Sequence, residues 1–136
     1  MRAVILISGN GSNLQSLIDE ARKIDLEICS VISNKENAFG LKRAERANIM
    51  THFVDPHRFK SREDFDKQLI AIIDELDIGL IILAGYMRIL SSDFINHFAG
   101  KILNIHPSLL PKFPGLNTHR RQLMLKRNTM VQLFIL

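Results

Sequence analysis

Two side chains at the end of an apolar run carry the sharpest chemical signal in this sequence. Asn104 and His106 close the segment Lys101–His106 (KILNIH), and in a β-strand residues two apart share a face. A carboxamide donor beside an imidazole can hold a developing oxyanion and move a proton, the two demands of acyl transfer from a carbonyl donor. Three prolines follow within eight residues, Pro107, Pro111 and Pro114, and predict an extended, rigid loop. A lone histidine at a strand end is also a common structural residue, so the pair needs support from its neighbours.

That support comes from two further loops. Ser8-Gly9-Asn10-Gly11-Ser12-Asn13 lies between an apolar run and an amphipathic one. Its glycines permit a tight turn and close approach of a ligand, and the first amides of the following helix, with Ser12 and Asn13, offer donors to an anion such as a phosphate. A dinucleotide fingerprint is incomplete here: the third glycine is missing, and Ser33-Asn34 stands where a ribose-binding acid belongs. A Walker lysine is also absent. The bland alternative is a plain glycine turn that opens a helix. The second loop, Gly85-Tyr86-Met87-Arg88-Ile89-Leu90, follows the most apolar run, LIILA. It suits one wall of a flat apolar pocket, although taken alone Met87, Ile89 and Leu90 read as core and Arg88 as a solvated rim.

The elements that must position these loops alternate short β-branched runs with amphipathic stretches, the mark of βαβ units around a parallel sheet. Strands are expected at Ala3–Ile7, Glu27–Ser33, Thr51–Val54, Leu80–Ala84 and Ile102–His106. Helices are expected at about 13–24, 38–47 and 63–76, with a short one capped by Ser91 or Ser92 and closed by Gly100. The continuous runs VILI and LIIL fit strands buried on both faces. The fold class is therefore α/β, a doubly wound, mostly parallel sheet, with its ligands beyond the carboxyl ends of the strands.

Composition narrows the class. The 136 residues are 46% apolar and 24% charged, enough for one core. The single cysteine, Cys29, excludes both a disulfide framework and a cysteine metal site. No run reaches the roughly 18 apolar residues of a membrane span, and a cytoplasmic protein is expected. The net charge of +4 does not indicate a nucleic-acid partner, because all 14 acids are balanced within residues 1–119 and the excess comes from Arg120, Arg121, Lys126 and Arg127.

Taken together, ISGNGSN (Ile7–Asn13), SNK (Ser33–Lys35), LAGYMRIL (Leu83–Leu90) and NIHPSLLPKFPGLNTHR (Asn104–Arg120) resemble the phosphoribosylglycinamide formyltransferases, folate-dependent enzymes of purine synthesis. The Asn-x-His-x-Ser-x-Leu-Pro core is shared with other folate formyl enzymes. The Pro-Gly-x-x-Thr-His ending and the glycine loop point to the purine enzyme. The resemblance implies a Rossmann-like formyltransferase N-terminal domain over residues 1–121. It implies that Gly11, Ser12 and Asn13 hold the phosphate of glycinamide ribonucleotide, that Met87, Arg88, Ile89, Leu90 and Asn104 bind the folate, and that Arg62 lies near its glutamate tail. Asn104 and His106 would be catalytic. Formyltetrahydrofolate would be the co-substrate, with no metal, no nucleic acid and no membrane partner. The resemblance leaves the roles of Tyr86 and His119 open.

After Arg121 the resemblance stops. Family members continue with a Gly-x-Ser/Thr-Val-His-x-Val segment and a loop supplying a catalytic aspartate, whereas here no acid follows Asp93. Residues 122–136 form a basic, then apolar, aberrant tail, leaving the C-terminal part of the fold incomplete. Synonymous codons for Asn128–Leu136 can be chosen so that the frame beginning at the third base reads Tyr/His-Asn-Gly-Ala-Thr-Val-His-Phe. The tail is therefore expected to be an out-of-frame translation. The expected consequences are severely reduced activity and an exposed apolar edge on the strand that ends at His106. The alternatives are a non-catalytic remnant that binds a phosphorylated ligand, and a related folate formyl enzyme acting on another acceptor.

Overall fold

The computed structural model describes residues 1–109, 120–125 and 129–135, with side chains through residue 105. The prolines Pro111 and Pro114 and His119 lie outside the described residues. The elements run β1 (Arg2–Ile7), α1 (Ser12–Glu20), β2 (Glu27–Ser33), α2 (Phe39–Arg46), β3 (Met50–Phe53), α3 (Arg62–Glu75), β4 (Leu80–Ala84), α4 (Ser92–His97), β5 (Ile102–Leu109), β6 (Arg120–Leu125) and β7 (Thr129–Ile135). The sheet order is β3-β2-β1-β4-β5-β7-β6. The first five strands pair in parallel, as the continuous apolar runs predict.

Alternation along β1 explains the double winding. Ala3, Ile5 and Ile7 join a core with Leu14 and Leu17 of α1 and Leu41 and Ala44 of α2. Val4 and Leu6 join a second core with Phe65, Leu69 and Ile73 of α3 and Phe94 of α4. Both faces of the strand are buried, so every residue from Ala3 to Ile7 is shielded from solvent. The chain winds outward from β1 to β3 with α1 and α2 on one face, then crosses back through α3 to β4 on the other side of β1. The carboxyl edge between β1 and β4 is thus the topological switch point, where ligands of such sheets bind.

Local signals end the elements. Ser61 accepts from the Asp64 N–H at 3.1 Å and Ser91 from the Phe94 N–H at 3.2 Å, capping α3 and α4 as serine caps do. The connections into β2, β3 and β4 each turn on one left-handed Asp or Asn: Asp25, Asn48 and Asp77. These short polar residues tolerate that conformation best after glycine. Asp25 belongs to the turn that ends α1 at Glu20, four residues short of the expected limit.

Two expectations are corrected beyond His106. Strand β5 continues through Pro107 to Leu109 rather than entering a loop there; the fixed φ of proline is compatible with an extended strand. Its outer edge is not bare, because β7 pairs antiparallel along its length, Leu103 opposite Ile135 through Leu109 opposite Thr129. The apolar run near the C-terminus, read as aberrant, forms a strand with β6 beside it. Among the described residues no helix is long and apolar enough to cross a membrane.

Candidate active site

The glycine loop follows β1 at the switch point. Gly11 adopts φ +80° as the residue before α1, and no side chain caps the helix. The first amides of a helix have no carbonyl partner within it, so this end offers donors at the carboxyl edge of the sheet. Ser12 is exposed there and Asn13 half-buried, so the three residues singled out from the sequence are contiguous at one helix start.

Two residues of α2 that sequence reasoning missed hold this loop in place. The Gly40 N–H donates to the Gly9 carbonyl at 3.1 Å, and a Cβ built on Gly11 would lie 2.6 Å from the Gly40 Cα. The Arg43 guanidinium donates through Nε to the Asn10 carbonyl and through Nη2 to Asn10 Oδ1, both at 2.8 Å. It also lies 4.9 Å from the Phe39 ring centroid. The one hint in the sequence is a glycine in the first turn of the Phe39–Arg46 helix; no pattern links positions about 30 residues apart.

The loop after β4 inverts the simple reading of its residues. Met87 is 81% exposed and Ile89 71% exposed, while Leu90 is buried. Arg88, taken as a solvated rim, turns inward and stacks over Phe65 with its guanidinium carbon 4.4 Å from the ring centroid. A cation over an aromatic face is stabilised by the ring quadrupole, which lets the arginine go under while the apolar side chains go out. Two large apolar side chains are thus exposed in the loop that follows β4. Beside them an open cleft of about 530 Å³ is lined by Asn34, Lys35, Asp55, His57, Met87 and Arg88. There the His57 backbone N–H, then its ring, holds the Asp55 carboxyl below its ordinary pKa.

Beneath the loop, the Asp66 carboxylate is 1% exposed and accepts the Ser91 N–H at 2.6 Å. Burial pushes the neighbouring Tyr86 hydroxyl well above its ordinary value, and the Asp66 charge adds to the shift. Because neutral Tyr86 is favoured by the fold, its contribution to stability is present below about pH 10 and is lost as pH rises beyond that. Tyr86 is the only tyrosine. Absorbance near 295 nm is therefore expected to show no tyrosinate around pH 10, and to rise only at higher pH together with loss of near-ultraviolet dichroism. Ionisation near pH 10 with the fold intact would contradict this.

Asn104 is half-buried in β5, opposite Leu83 of β4 and Phe134 of β7. His106 stands two residues further along the same strand, opposite Gln132; its side chain lies outside the described residues. Arg62 is exposed as the first residue of α3, three residues before the Phe65 that receives Arg88. Among residues with described side chains, no cluster of His, Cys, Asp and Glu could hold a metal ion.

The formyl transferase family pattern matches residues 1–127. The chain is 54% identical over 125 residues to a phosphoribosylglycinamide formyltransferase of Escherichia coli strain K12, covering 90% of this chain and 59% of that protein. It is 48% identical over 124 residues to the human trifunctional purine biosynthetic protein adenosine-3, covering 90% of this chain and 12% of the longer protein. The chain thus spans little more than half of the bacterial relative. A solved phosphoribosylglycinamide formyltransferase from Coxiella burnetii superposes with TM-score 0.77 at 51% identity, over 86% of this chain and 56% of that one. One from Bacillus halodurans superposes with TM-score 0.75 at 26% identity, over 100% of this chain and 80% of that one. With its motifs in the loops of a doubly wound parallel sheet and the family pattern running through residue 127, the chain belongs to the formyl transferase family.

Proposed function

We propose that this fold serves formyl transfer from formyltetrahydrofolate to the amine of glycinamide ribonucleotide, in purine synthesis, with activity of the 136-residue chain severely reduced. The observation that carries the reading is the uncapped start of α1 at the switch point, held by Gly40 and Arg43. Gly11, Ser12 and Asn13 would bind the ribonucleotide phosphate there, where amide donors and the helix dipole favour an anion. The segment Met87, Arg88, Ile89 and Leu90, with Met87 and Ile89 exposed, would receive the pterin, and Arg62 the glutamate tail. The neutral amine would attack the formyl carbonyl. Asn104 would donate to the developing oxyanion, while His106 stabilises that charge and passes the proton from nitrogen toward the folate leaving group. The amine is itself the nucleophile, so the step needs no covalent enzyme intermediate.

A second reading, a non-catalytic remnant that binds a phosphorylated ligand, is favoured by one observation: β7 lies beside β5 with Gln132 opposite His106. We take residues 1–121 as the formyltransferase N-terminal domain and 122–136 as an out-of-frame tail. Nucleotide sequencing across codons 118–136 tests the latter, and in-frame agreement of the gene with the tail, without family sequence in the shifted frame, would refute it. Thermal unfolding separates the two functional readings. A ligand at 100 times its Kd stabilises by about 2.7 kcal/mol. Glycinamide ribonucleotide is expected to raise the transition in both; a folate analogue raises it only if the second half of the site survives. A transition unmoved by the ribonucleotide would reject both.

A further inference from the structure

The proposed phosphate loop and the proposed folate loop are joined by one buried hydroxyl. Ser8, the residue after β1, is 4% exposed and donates its proton to Asn34 Oδ1 at 2.6 Å. Its oxygen accepts the backbone N–H of Met87 at 2.7 Å. A serine hydroxyl has a single proton, so donating to Asn34 turns an oxygen lone pair toward Met87. Asn34, 8% exposed, is itself fixed by the next turn, in which Ser33 Oγ accepts the Lys35 N–H at 2.9 Å and donates to the Lys35 carbonyl at 2.8 Å. The three groups come from the ends of β2, β1 and β4, separated in sequence by 26 and 79 residues. Ser8 and Asn34 are shielded from water, so removing the hydroxyl leaves the buried Asn34 oxygen without its donor and the Met87 N–H without its acceptor.

We propose that Ser8 is a positioning residue that couples the Gly9–Asn13 loop to the backbone at Met87, so that filling the phosphate site orders the folate-facing loop. The inference rests on the proposed phosphate site for its direction and on the hydrogen-bond chain for its existence. Ser8 is buried and acts through the Met87 backbone, whose exposed side chain sits on the surface the folate would meet.

Amide hydrogen exchange at Met87 in the 136-residue chain, with and without glycinamide ribonucleotide, tests this. In the parent chain the ribonucleotide is expected to slow Met87 exchange at least tenfold. Ser8→Ala is expected to speed exchange at Met87 at least tenfold without ligand, to leave amides of α3 unchanged, and to abolish the ligand's effect. Ser8→Thr, which keeps the hydroxyl, restores both. If Ser8→Ala does not fold, Asn34→Ala serves instead, since it releases the hydroxyl from its acceptor and should speed Met87 exchange by a smaller factor. Equal Met87 exchange in parent and variant, or ligand protection that survives in Ser8→Ala, would overturn the coupling. If calorimetry shows no ribonucleotide binding to the parent chain, the phosphate-site reading fails and the directional coupling with it, while the ligand-free comparison still decides whether the bridge holds the loop.

Discussion

Formyl transfer by the purified 136-residue chain is expected to run roughly 10²- to 10⁴-fold below the about 10 s⁻¹ of a typical enzyme. The strand adjoining β5 brings Gln132 opposite His106 and Phe134 opposite Asn104, and the sequence holds no Asp or Glu beyond Asp93. The resemblance assigns His106 a carboxylate partner from beyond Arg121, where the 136-residue chain has no acid; losing such a partner removes control of the tautomer and stabilisation of the charged form, both of which proton transfer during amine attack requires. Asn104 would still supply one oxyanion donor, so a residual rate above the uncatalysed reaction is expected. Following deformylated folate by absorbance gives the rate directly. Turnover within about tenfold of 10 s⁻¹ would show that another group on the chain does the work assigned to the missing acid.

Gly11→Ala is expected to be more damaging than the same substitution at Gly85 or Gly9. The residue sits at φ +80°, where a side chain costs about 1–2 kcal/mol. The new methyl would also press on the Gly40 Cα at 2.6 Å, a backbone atom that cannot rotate away; such overpacking costs about 1–3 kcal/mol. The combined loss, on the order of 3 kcal/mol, corresponds to a fall in Tm of roughly 10 °C for a domain of this size. The neighbouring positions are internal controls. Gly85→Ala meets the same backbone strain at φ +72° with open space around it, and Gly9→Ala meets neither obstacle. The expected order of destabilisation is therefore Gly11, then Gly85, then Gly9, measured by denaturant unfolding. Gly11→Ala should also lose ribonucleotide binding. Equal stability of the Gly9 and Gly11 variants would mean that the loop does not lean on α2.

The parallel sheet was readable because its central strands are buried on both faces, which leaves the continuous runs VILI and LIIL; Leu80–Ala84, and likewise Glu27–Ser33, are found with the bounds the sequence suggests. A serine cap announced α4 for an equally local reason. What escaped was set by partners distant in the chain. The inward turn of Arg88 depends on Phe65, and the rigidity of the glycine loop depends on Gly40 and Arg43. Neither partner shows any periodic relation to the loop it serves. The final apolar run looked foreign because it follows a basic stretch and lacks turn residues, whereas its place in the sheet is set by pairing with β5, well before it in the chain. Of the site, the glycine turn and the spacing of Asn104 and His106 along one strand were legible, since both are short-range features. The exposure of Met87 and Ile89 was not.

The central claim is that the start of α1 holds the phosphate of glycinamide ribonucleotide. Its most direct test is a titration of the isotopically labelled chain with that ribonucleotide, followed through backbone amide resonances. The account predicts that the largest shifts fall on Gly11, Ser12 and Asn13, and that the same compound without its phosphate leaves these amides unmoved. Shifts centred instead on the cleft between Asn34 and His57, or equal responses to both compounds, would contradict it.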